Sequence, residues 1–187
     1  MIEIEELEKA SKIKGLNIKN TEKDYLLEML LFILYKSSGK NLAFKGGTAL
    51  YKLHSLNRFS EDLDFTLIHH KLDLQKLLRN VINDLRDIGI NAKIKELNEY
   101  RNQKNIKLEL KGPLYKGGIY DLSLITINLS LKEKPLYELE QEKIFSQYRD
   151  ITSFDVFVMN LNEIFAEKMQ SNSSLKTCCI SDCPSTF

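Results

Sequence analysis

The sequence lacks any long apolar run: its longest ends at Tyr35 and falls far short of the roughly 20 residues that span a bilayer. A membrane-spanning protein is therefore not expected. Export is not expected either, because Glu3, Glu5, Glu6 and Glu8 occupy the stretch where a secretory leader carries basic and then apolar residues. A cytoplasmic location is the expectation. Cysteine is scarce, and Cys178, Cys179 and Cys183 all crowd the last ten residues. Their spacing matches no zinc signature, and a cytoplasmic chain is not expected to hold a structural disulfide. No G-x-x-x-x-G-K-[ST] phosphate loop occurs, and there is no internal repeat. Charge of either sign is hardly in excess: the net charge of +1 neither demands nor excludes a polyanionic partner.

What is present is an ordinary globular composition, 43% hydrophobic and 28% charged over 187 residues, enough for one sizeable core. The expected organisation is one compact unit over residues 1–170 and an irregular tail over 171–187, where periodicity stops at Ser171-Asn172-Ser173-Ser174. Between Asn91 and Gly118 seven basic residues face three acids. A basic face there suits phosphate backbones; lysines that blunt strand edges explain it equally well.

Hydrophobic spacing sets out the elements. Ile4, Leu7 and Ala10 suggest a short surface helix. Thr21 with Asp24 resembles a capping box, and Leu27, Leu30, Leu31 and Leu34 share one helical face. Leu42 to Phe44 reads as a buried strand broken by Lys45-Gly46-Gly47, and Thr48 to Leu56 as a helix. Leu63, Phe65 and Leu67 alternate with Asp62, Asp64 and Thr66, the period of a strand with both aspartates on one face. Asp73 caps a helix of cleanly amphipathic spacing that ends at Gly89. Strand-like stretches at Ala92 to Leu97, Asn105 to Leu110 and Ile119 to Leu131 suggest an antiparallel meander, and a last helix from Leu161 carries Lys168.

Two carboxylates at i and i+2 of a strand lie about 7 Å apart, close enough to share a hard cation such as Mg²⁺. An Asp-x-Asp alone is common on solvated strands and also occurs in nucleotide-sugar glycosyltransferases. Gly46-Gly47-Thr48 opens a helix directly after a strand, which brings backbone N–H groups and a helix dipole to bear on phosphate oxygens, with the Thr48 hydroxyl as a further donor. A lone Gly-Gly would more often be a simple tight turn. The combination is what narrows the reading: a phosphate cradle, one helix, then paired carboxylates, with Arg58 and Ser60 just before them. His54, His69 and His70 are read as surface or packing residues.

Phe44-Lys45-Gly46-Gly47-Thr48-Ala49-Leu50 followed by Arg58-Phe59-Ser60-Glu61-Asp62-Leu63-Asp64-Phe65 resembles the signature of the AbiEii-type nucleotidyltransferase toxins of abortive-infection and type IV toxin–antitoxin systems. Glu22 to Leu26 and Glu163 to Met169, with its Lys168, extend the resemblance. It implies an α+β, polymerase-beta-like nucleotidyltransferase fold, a mixed or antiparallel sheet flanked by helices. It further implies Mg²⁺, a nucleoside triphosphate (NTP) donor, an RNA target, notably tRNA, and a cognate antitoxin. By that analogy Asp62, Asp64 and Lys168 are catalytic, Asp62 and Asp64 hold the metal, and Lys45, Gly46, Gly47, Thr48, Arg58 and Ser60 bind the nucleotide. Two departures are expected to matter. A third carboxylate of the wider fold would fall near Asn128, with Glu109 and Asp121 as substitutes. Relatives continue past the lysine helix into an R-D-x-x-D element, whereas this chain leaves the pattern at Gln170, so a nucleotidyltransferase truncated at its C-terminus is expected, with an active and an inactive form both open. The alternative is a catalytically dead nucleotide- or RNA-binding module.

Overall fold

Seven strands and five helices account for the fold in a computed structural model, which describes residues 1–68, 72–131 and 134–178, the stretch 171–178 through its backbone alone. The helices are α1 (Ile4–Lys14), α2 (Ile18–Ser38), α3 (Gly46–Leu53), α4 (Leu74–Asp87) and α5 (Leu161–Cys178). The strands are β1 (Leu42–Lys45), β2 (Asp62–Leu67), β3 (Asn91–Tyr100), β4 (Gln103–Lys111), β5 (Ser123–Ser130), β6 (Glu140–Ile144) and β7 (Phe154–Val158). They form one mixed sheet in the order β3-β4-β5-β2-β1-β7-β6. The expected α+β fold with a mixed sheet is what the chain adopts.

Pairing is mixed in sense. β2 runs antiparallel to β1 and parallel to β5, while β3, β4 and β5 form the expected antiparallel meander. Leu63 and Phe65 are buried on one side of β2, where the Tyr35 ring of α2 lies 6.2 Å from that of Phe65. The period-2 alternation therefore sends Asp62 and Asp64 to the opposite face. α4 buries Leu77, Leu78, Val81 and Leu85 and starts at Asp73, whose side chain accepts the Lys76 N–H.

Helix α2 is buried on nearly every side, as a helix enclosed by others must be; its buried positions include Leu26, Leu27, Leu30, Leu31 and Leu34. Its start corrects the capping-box expectation. Asn17 caps it, accepting the Asn20 N–H, whereas Thr21 and Asp24 lie within the helix and are fully buried. Asp24 has a different task. Its carboxylate meets Lys14 and Lys52, each at 2.7 Å, and Lys52 also reaches Glu28 at 2.6 Å. Two buried acids on α2 thus grip a lysine of α3 and hold that helix in place.

Three other expectations shift. The strand read from Ile119 begins at Ser123, after a single 3₁₀ turn at Ile119–Asp121. The stretch between Pro135 and Leu161, for which no element was expected, supplies β6 and β7. Helix α5 continues beyond Gln170 to Cys178, so the first residues of the expected tail are helical. Residues 179–187, with Cys179 and Cys183, lie outside the described residues, as do His69 and His70.

Candidate active site

The local structure begins with a backbone requirement. Gly46 has φ +75, the left-handed region open to glycine, and a Cβ there would stand 2.1 Å from Asp64 Oδ2. The turn between β1 and α3 therefore abuts the carboxylate, and no side chain fits between them. A Cβ on Gly47 would meet Ser60 Oγ at 2.8 Å and Lys168 Nζ at 3.9 Å. The first turn of a helix carries N–H groups with no intrahelical partner and the positive end of its dipole. Around Gly46 and Gly47 the chain thus gathers backbone donors, a hydroxyl, an ammonium and a carboxylate.

Thr48 departs from its expected role. Its side chain is fully buried and its hydroxyl donates to the Asp62 carbonyl, tying α3 to β2. A hydroxyl so engaged is not offered to a phosphate, while the Thr48 backbone lies in the first turn of α3. Arg58 is exposed and does not line the cleft. Asp62 is exposed at the start of β2, one register step from Asp64 on the same face.

Asp64 sits in a charged and partly desolvated setting. Burial raises its pKa, the hydrogen bond from Asn128 opposes the rise, the Asp62 charge adds to it, and Lys45 and Lys168 counter it; the net shift is upward. A cation between Asp62 and Asp64 would remove the repulsion that contributes to this shift. Two carboxylates on one strand face, with open surroundings, fit a hard divalent ion that takes oxygen ligands and completes its shell with water and phosphate. Among the described residues, however, no group of three or more His, Cys, Asp or Glu gathers in metal-holding geometry. The strand partner of Asp64 on β5 is Asn128, whose Nδ2 donates to Asp64 Oδ1 at 2.8 Å. Glu109 lies further along β4, opposite Leu124, and its carboxylate pairs with Lys93 at 2.7 Å. Asp121 accepts the backbone N–H groups of Lys116 and Gly118 and organises its own turn. Neither substitute carboxylate joins the pair.

A cleft of about 500 Å³ opens over this face, between the sheet and α5. Lys45, Gly46, Gly47, Asp64 and Lys168 line it as one group. Lys45 is held by both oxygens of Glu167, at 2.9 and 3.0 Å, so an ion pair joins the end of β1 to α5 beside the glycine turn. Sequence reading did not single out Glu167, Gln103, Asn105 or Ser130, all of which line the same cleft. Glu167 was recoverable as the neighbour of Lys168; the other three depend on strand register.

Known proteins share this fold. The fold is similar to that of a putative nucleotidyltransferase from Helicobacter pylori (TM-score 0.58, 22% identity, 82% of this chain and 59% of that one). It is similar as well to JHP933 from Helicobacter pylori (TM-score 0.54, 20% identity, 81% and 56%). A third solved structure, the nucleotidyltransferase toxin MenT4 from Mycobacterium tuberculosis, aligns with a TM-score of 0.63 at 19% identity, over 90% of this chain and 58% of that one. The chain thus spans less than two thirds of the length of each of these structures. No curated protein matches it in sequence. The family described as nucleotidyl transferase AbiEii toxin of type IV toxin–antitoxin systems matches residues 30–177, and these account for most of the fold and the whole of the site. The chain belongs to the AbiEii nucleotidyltransferase toxin family.

Proposed function

We propose that the protein transfers a nucleotide from an NTP to RNA, notably tRNA, in a Mg²⁺-dependent reaction, acting in the cytoplasm as the toxin of a toxin–antitoxin pair whose antitoxin restrains it. The observation that carries this reading is the contact between the Gly46 backbone and the Asp64 carboxylate, where a Cβ would come within 2.1 Å of Oδ2. Phosphate donors and metal-type ligands meet at one point, as phosphoryl transfer requires.

In this scheme the first-turn N–H groups of α3 hold the β- and γ-phosphates, with Ser60 beside them. Lys168, the nearest ammonium to Gly47, neutralises the charge that builds on the leaving pyrophosphate. An RNA hydroxyl oxygen bonds to the α-phosphorus, the bond from that phosphorus to the α,β-bridging oxygen breaks, and pyrophosphate departs with that oxygen. The hydroxyl proton passes to solvent at the open side of the cleft. Asp62 and Asp64 would hold the Mg²⁺, which when bound screens the phosphates and lowers the pKa of the attacking hydroxyl. Asn128 keeps the Asp64 carboxylate turned toward the cleft.

Incubation of the protein with labelled NTPs, Mg²⁺ and total tRNA tests the reading. Labelled RNA that disappears with Asp64→Ala supports it; no transfer, or transfer undiminished by Asp64→Ala, overturns it. A second reading, a nucleotide- or RNA-binding module without catalysis, draws on one observation: an amide rather than a carboxylate faces Asp64 from β5. Tight triphosphate or RNA binding without transfer distinguishes it.

A further inference from the structure

Beyond Asp64 the cleft floor changes character. One register row crosses the sheet from Asp64 on β2 to Asn128 on β5 and Asn105 on β4. The next row takes Thr66 to Ser130 and Gln103. The ionisable groups of the cleft, Lys45, Asp64, Glu167 and Lys168, are absent from the part of this floor formed by β4 and the end of β5, which presents the neutral amides of Gln103 and Asn105 and the Ser130 hydroxyl. Asn128 is spent on Asp64. Asn105 is half-buried in the cleft and Gln103 is exposed at its edge, and among the described residues neither side chain has a hydrogen-bond partner.

The half-buried, unpaired amide of Asn105 stands to gain from a ligand that pairs with it, and the Gln103 amide beside it is open to the same ligand. Each offers a donor and an acceptor in one plane and no charge. That chemistry recognises the edge of a nucleobase, as amide side chains do when they bind adenine bidentately; phosphate oxygens favour the cationic end instead. Two strand spacings, about 10 Å, separate Asp64 from Asn105. A nucleoside spans that interval, whereas a phosphate group alone does not.

We propose that Asn105 and Gln103 form a base-reading subsite which selects the nucleotide that the cleft accepts. This rests on the nucleotidyl-transfer reading and adds to it the residues that set the choice of NTP. The phosphates are held at the glycine turn, and the base of the same molecule lies over β4.

Binding of each of the four NTPs and of inorganic tripolyphosphate to the full chain, by calorimetry with Mg²⁺ present, tests the assignment. Wild type is expected to prefer one or two NTPs. Asn105→Ala should weaken the preferred NTP about tenfold, with a smaller loss for Gln103→Ala, while tripolyphosphate binding stays unchanged and shows that the variants are folded. Lys168→Ala should weaken NTP and tripolyphosphate alike. Equal affinity of wild type for all four NTPs, or undiminished preference in Asn105→Ala, overturns the subsite and leaves nucleotidyl transfer standing. Failure of wild type to bind any triphosphate overturns both.

Discussion

Asn128 donates a hydrogen bond to Asp64 across 2.8 Å, from the strand position directly opposite it. An amide there orients the carboxylate without adding charge. Asn128→Ala should leave the fold intact and reduce transfer roughly 10- to 100-fold, the usual cost of losing a group that orients a metal ligand. Asn128→Asp should lower the Mg²⁺ concentration needed for half-maximal activity. Both are checked by Mg²⁺ titration of the transfer rate.

Gly46→Ala should inactivate the protein and lower its melting temperature, since the new methyl group must adopt φ +75 and displace the Asp64 carboxylate. Gly47→Ala meets only the end of the Ser60 side chain at 2.8 Å, which can rotate away. Its fold should survive while triphosphate affinity falls. Thermal melts beside tripolyphosphate binding separate the two outcomes.

Lys52→Met should be among the most destabilising substitutions. The Lys52 side chain is 6% exposed and faces Asp24 and Glu28, exposed 0% and 3%. Removing the ammonium leaves two buried carboxylates short of their shared partner, a loss of about 3–5 kcal/mol. For a chain of this size the melting temperature should drop on the order of 10 °C.

The same cluster sets a pH dependence. Burial acts to raise the pKa of Asp24, but Lys52 and Lys14 outweigh it and the net shift is downward. The folded state thus holds the proton less tightly than the unfolded chain. The resulting stability is present above the ordinary carboxylate pKa and is lost as pH falls through the lowered one. For Lys52, burial works downward and the charges of Asp24 and Glu28 prevail, leaving its pKa raised. Its contribution is present below the ordinary lysine value and is lost as pH rises through the raised one. Urea midpoints measured against pH should decline at both extremes, and Asp24→Asn should remove the acid limb attributable to this residue.

Glu167→Gln should strengthen tripolyphosphate binding. In the ion pair both Glu167 oxygens compete for the Lys45 ammonium beside the glycine turn, and the neutral amide competes less for it. Calorimetry at two salt concentrations checks this, because the gain should shrink as screening increases.

The glycine turn, helix α3 and both aspartates were legible in the sequence because each is written locally: a period change from 2 to 3.6, a glycine pair, two acids one residue apart. Asp73 as a cap was legible for the same reason. Thr21 and Asp24 show the limit of local pattern. They have the spacing of a capping box, but Asp24 answers to Lys14 and Lys52, ten and 28 positions away. β6 reads Glu-Gln-Glu-Lys-Ile, a short charged edge strand with no hydrophobic period. Asn105 and Gln103 look like ordinary polar strand residues until the β4–β5 register carries them to the floor beside Asp64. Thr48 shows a subtler limit: its hydroxyl faces β2 and donates to the Asp62 carbonyl, a partner that local pattern does not show.

The ion pair between Lys45 and Glu167 joins residues 122 positions apart. During synthesis the glycine turn and both aspartates emerge well before α5, the far wall of the cleft. A nascent chain that has not yet released α5 carries the glycine turn with no enclosure and no Lys168. The cleft is therefore enclosed only once the chain from Lys45 through α5 has been made.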